Sequence, residues 1–136
     1  MTLGEYLHMD HQQVHQYIID KPEAVLQHPF GDEVHVYKVN NKMFATLAIG
    51  KIGKGEQEGE LEYWLNLKCD PEEAIMLRDI FQSIIPGYHM NKRHWNTIIL
   101  DGTIPQGEIE RMIDNSFLLV VNNMPKQEQR SILMQM

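Results

Sequence analysis

The 136-residue sequence predicts an α+β fold: an antiparallel β-meander with helices packed on one face. Two observations carry the architecture. Between residues 34 and 67 the apolar residues recur with period two in three successive segments, and beyond residue 70 the period becomes helical, with proline-led starts at Pro71, Pro105 and Pro125.

Residues 2–19 read as helical. Thr2 with Glu5 is one capping box and Asp10 with Gln13 a second, so the segment is either one helix or an arm followed by a helix over 11–19. Pro22 and Pro29-Phe30-Gly31-Asp32 then break the chain. Val34, Val36 and Lys38 alternate with His35 and Tyr37 as a first strand. Asn40-Asn41 is a two-residue turn that tolerates positive φ, and 42–49 returns as a second strand. The polar stretch 50–60 carries four glycines and reads as a hairpin loop. Leu61, Tyr63, Leu65 and Leu67 alternate with Glu62, Trp64 and Asn66 in a third strand.

Asp70 is an N-cap followed by Pro71 and two glutamates, which suits the positive end of a helix dipole. The stripe Ala74, Leu77, Ile80, Phe81, Ile84 extends that helix to Pro86-Gly87. Residues 95–100 fit a buried strand and Asp101-Gly102 a turn. Pro105 opens a helix of about 18 residues along Ile109, Ile113, Phe117 and Val120, and Pro125 a last one with Ile132 and Leu133.

Composition bounds the function. With 43% hydrophobic and 23% charged residues the chain is an ordinary folded domain. No apolar run reaches the ~20 residues of a membrane span, and MTLGEYLHMDHQQ lacks the regions of a secretory signal. The single Cys69 excludes an internal disulfide and any multi-cysteine zinc site, so a reducing, cytoplasmic setting is expected. A net charge of −7 argues against coating nucleic acid by bulk charge. The charge is uneven, however: residues 34–55 hold Lys38, Lys42, Lys51 and Lys54 with no acid, and 80–100 hold Lys92 and Arg93 with none.

Four constellations bear on chemistry. His8, His11 and His15 fall on one helical flank at metal-ligand spacing, although a solvated polar flank is the preferred reading. Gly50-Lys51-Ile52-Gly53-Lys54-Gly55 lacks the G-K-[ST] and following helix of a P-loop; it reads as a hairpin connection, with a basic loop for an anionic partner as the alternative. Cys69 precedes a helix N-terminus, a setting that lowers a thiol pKa, yet it has no catalytic partner and reads as a small semi-buried residue. Tyr88 to Thr97 is the densest polar block. It either presents His89, Asn91, Lys92, Arg93, His94 and Trp95 to a phosphate or base, or forms a plug in which Trp95 packs inward; the plug is preferred.

Several of these stretches resemble the MmcQ/YjbR family of small bacterial proteins: Phe30-Gly31-Asp32, Lys38 through Ala45, Leu67-Lys68, Pro86 through Lys92, His94 through Thr97, Leu100-Asp101-Gly102 and Ser116. The similarity spans about residues 16–136, which makes the chain a single domain with residues 1–12 as an N-terminal extension. The resemblance implies a frataxin-like α+β domain and a DNA-binding role with β-hairpin wings. On that arrangement the contacts are Lys38, Lys42, Lys51, Lys54, Lys68, Lys92 and Arg93. The expectation is a non-enzymatic, monomeric binding protein without cofactor or membrane contact. Its ligand is DNA or another phosphate-rich molecule; the alternative is a small-molecule or protein adaptor using the loop from His89 to Thr97.

Overall fold

The computed structural model describes residues 8–51 and 61–136. The first helix, α1 (His11–Ile19), starts at the second of the two capping boxes: the Asp10 side chain accepts from Gln13 N, and the Gln13 side chain accepts from Asp10 N. It buries Val14 and Ile18. Residues 1–7, which hold the first capping box, lie outside the described residues.

Six strands follow: β1 (Val25–Gln27), β2 (His35–Val39), β3 (Lys42–Lys51), β4 (Leu61–Lys68), β5 (Ile84–Pro86) and β6 (Trp95–Ile99). They form one antiparallel sheet in the order β1-β2-β3-β4-β6-β5. The β2–β3 turn uses Asn40 at φ 49° and Asn41 at φ 63°, as its two asparagines predict. Pairing shifts between Tyr37 and Lys38, which face Ala45 and Met43, so Phe44 is a bulge residue without a partner on β2.

Two elements differ from expectation. The helix after Asp70, α2 (Pro71–Ile80), stops at Phe81, whose backbone is extended. Ile84 does not continue its stripe; it pairs with Ile98 in β5, and Ile80 faces solvent. The stripe misled because β-branched Ile84 and Ile85 gain more as a pairing edge strand than as another helical turn. The second surprise is β1, three residues between prolines, too short to show a period and held by β2 alone.

The last two helices, α3 (Gln106–Val121) and α4 (Lys126–Leu133), start after Pro105 and Pro125 as expected. The core joins Val14 and Ile18 of α1, Tyr37, Phe44, Leu47, Leu65, Leu67 and Ile98 of the sheet, and Ile109, Ile113, Phe117 and Val120 of α3. On β2 the helix-facing residues are therefore Tyr37 and Val39, whereas Val36, expected with the core set, points to the other face with its partner Thr46.

At the bulge, Ser116 of α3 completes the missing hydrogen bonds. Its Oγ donates to Phe44 O at 2.6 Å and accepts from Lys68 N at 2.9 Å. Asp114 of the same helix accepts from Tyr17 Oη at 2.9 Å and pairs with Lys21, which ties α1 to α3. Among the described residues no helix is long and apolar enough to cross a membrane.

Candidate anion-binding site

The register sorts the candidate cations by sheet end and face. Lys42 and Lys51 begin and end β3, nine residues apart, or about 30 Å at the usual strand rise. Lys68 pairs with Trp95 at the Lys42 end, and Lys38, opposite Met43, is at that end too. The chain between β5 and β6 crosses the same end, because Pro86 pairs with Asn96 and Trp95 with Lys68. Lys38, Lys42, Lys68, Lys92 and Arg93 thus gather at one end, with Lys51 at the other. Lys54 lies outside the described residues, as do residues 52–60 of the expected hairpin loop.

Local chemistry shapes the β5–β6 connection. Gly87 sits against Trp95, where a Cβ would come within 2.7 Å of the Trp95 Cβ, and its N–H donates to Trp95 O. Met90 N donates to Gly87 O, Arg93 N to Asn91 Oδ1 and His94 N to Asn91 O, while His94 O accepts from Cys69 N. These bonds hold a tight excursion whose His89, Asn91, Lys92, Arg93 and His94 side chains are exposed. Trp95, Asn96 and Thr97 are buried parts of β6. The block thus divides into an outer polar loop and an inner structural strand. His89, at φ 60°, lies 4.1 Å from the Tyr88 ring.

Lys68 and Trp95 share the sheet face opposite the helices, with Lys68 Nζ 5.8 Å from the Trp95 ring centroid. The same face carries a cross-strand polar ladder. Asn66 Nδ2 donates to Thr46 Oγ1 at 3.0 Å, Thr97 Oγ1 donates to Asn66 Oδ1, and Tyr88 N donates to Thr97 Oγ1 at 2.8 Å. Beside the ladder, Tyr88 meets Trp64 edge-on at 5.3 Å, and Trp64 lies flat over Gly50. Sequence reasoning missed Trp64 and the ladder, although the alternation of Trp64 and Asn66 with Leu65 and Leu67 already placed them on the polar side of the strand. Two acids at the cationic end are engaged: Glu128 accepts from Asn40 Nδ2, and Asp70 caps α2.

The histidine flank is dispersed. His11 stacks on Tyr63 at 3.8 Å, His15 Nδ1 lies 2.7 Å from Tyr37 Oη, and His8 is exposed. Among the described residues no three His, Cys, Asp or Glu side chains form a group that could hold a metal. Cys69 is half-buried, and burial, with Glu73 and Asp70 nearby, pushes its thiol up to about 11. The helix N-terminus does not activate it.

A family model described as YjbR matches residues 19–119. The chain belongs to the YjbR family. Two Escherichia coli members show how far the likeness runs: YjbR of strain K12 is 32% identical over 136 residues, all of both chains, and YbdF of O157:H7 is 32% identical over 128 residues, 91% of this chain and 98% of its own. Among solved structures, Deinococcus radiodurans DR2400, which carries the family-model domain DUF419, has a TM-score of 0.76 at 32% identity, over 90% of this chain and 87% of its own. A Pseudomonas syringae protein has a TM-score of 0.71 at 33% identity, over 82% and 98%. The YjbR match takes in both the outer polar loop and the ladder, and it ends three residues past Ser116. It excludes His8, His11 and His15.

Proposed function

We propose that this YjbR protein is a non-enzymatic, cytoplasmic, monomeric binding protein that takes a phosphate-rich ligand, DNA in the first instance. The ligand lies across the sheet end formed by Lys38, Lys42, Lys68, Lys92 and Arg93. The observation that supports this reading is the register: it aligns cations from four separate segments on one end of the sheet in a chain of net charge −7. From β2 to β6 the row spans about 14 Å at the usual strand spacing, enough to meet several phosphates. His89, Asn91 and His94 add donors beside it, and Tyr88 and Trp64 offer aromatic surface.

The test is fluorescence anisotropy with a labelled mixed-sequence duplex at about 20 and 150 mM salt. With about four phosphates neutralised, log K against log salt should slope by roughly −3 to −4. No binding at the lower salt discards the DNA reading.

A second reading, a protein-binding adaptor, draws on the outer face of α2, where Ile75, Met76 and Ile80 are exposed and Ile75 shares a recess with Arg78 and Arg93. Retention of a partner by the protein but not by an Ile75→Glu variant would favour it.

A further inference from the structure

On the other side of β2, away from the proposed ligand end, the fold brings together histidines that are far apart in sequence. His28 follows β1 and His35 opens β2; His28 Nε2 lies 2.8 Å from His35 Nδ1, with the rings 4.9 Å apart. His15 of α1 packs its ring 5.7 Å from His35 and binds the buried Tyr37 hydroxyl through Nδ1. One hydrogen bond therefore closes the 28–35 connection, and a second docks α1 on β2.

We propose that His28 and His35 form a proton-operated latch, which fastens the β1–β2 connection at neutral pH and releases it on acidification.

The chemistry follows from what an imidazole can donate and accept. A neutral His28–His35 pair shares one N–H between two nitrogens, and a pair carrying one added proton still does so. With both rings protonated, two N–H groups face each other, so the hydrogen bond is lost and like charges meet at contact distance. The His15–Tyr37 contact is not part of that chemistry, because the phenol oxygen can accept from an Nδ1–H as readily as its hydroxyl donates to a bare Nδ1.

The surroundings oppose such protonation. Burial comes first and lowers the His35 pKa below its ordinary 6.5, and the charges of His28, His15 and His11 lower it further. No carboxylate is among those influences. Asp32 and Glu33 lie in the connection itself, Asp10 is engaged in capping α1, and Tyr63 of β4 is covered by the His11 ring. The sign is set by the depressed value. Stability from the latch is complete above about pH 6.5 and is lost as pH falls through 6.5 toward the folded-state pKa.

Histidine ring NMR of the full chain, titrated from about pH 8 to 4.5, tests the latch. His35 should titrate below its ordinary value, and His28→Ala should move it up toward that value. A His35 titration at its ordinary value, unchanged by His28→Ala, would overturn the proposal. A second readout follows amide protection over residues 25–37, which should be lost progressively as pH falls from about 7.5 to 5. It should stay flat in His35→Gln, which keeps a hydrogen-bonding side chain without a titrating charge. An equal fall in His35→Gln would overturn the latch and assign the change to general acid loosening.

Discussion

At the scale of single residues, Ser116 shows how a small polar side chain can carry a large structural consequence. It is fully buried, and its hydroxyl bridges a bulge carbonyl on β3 and an amide on β4 that lack direct ladder partners. Ser116→Ala strands both backbone groups in the core and should cost about 1–3 kcal/mol, read as a lower urea midpoint with an unchanged m-value. Cys69 makes the opposite case, a residue whose sequence setting suggests reactivity that burial removes. With its thiol pKa near 11, about a thousandth or less is thiolate at neutral pH, so iodoacetamide should alkylate it at least tenfold more slowly than free cysteine at pH 7.5. A rate equal to that of free cysteine would contradict the burial. The serine was legible only as part of a family pattern; its bonding was not, because its partners lie 72 and 48 residues away.

At the scale of elements, the strands were legible where they had length. β3 and β4 alternate over enough residues to be read, and the Asn40-Asn41 turn declares its positive φ values. β1 and β5 have three residues each, and their existence depends on a neighbour that supplies the hydrogen bonds. The β3–β4 pair also contains a close approach. A Cβ on Gly50 would sit 2.2 Å from the Trp64 ring, so no other residue fits while the indole lies flat. Gly50→Ala should displace Trp64, shift the tryptophan emission and destabilise the sheet by about 1–3 kcal/mol of overpacking strain. An unchanged spectrum and denaturation midpoint would show that the indole rests elsewhere. The sequence marked Gly50 only as the start of a loop, since Trp64 is 14 residues further along.

At the scale of the whole molecule, strand direction decides which lysines share an end of the sheet. Lys42 and Lys51 appear in one basic run of the sequence, yet the straight path of β3 sends them to opposite ends of the sheet. If the proposed ligand end is right, Lys68→Ala should weaken duplex binding and reduce the salt slope by about one, while Lys51→Ala should leave the slope unchanged. Equal effects from both substitutions would mean a diffuse field in place of a site. Family membership and the α+β architecture were within reach of the sequence, because motifs, caps, turns and periodicities are written in residues a few positions apart. The placing of Lys38 and Lys42 at the same sheet end as the β5–β6 loop, the separation of Lys51 from them, the bridging role of Ser116 and the pairing of His28 with His35 were decided only by the tertiary structure. Each depends on strand order and register, which come from burying one sheet face against three helices. No local pattern encodes which distant segment will supply the partner.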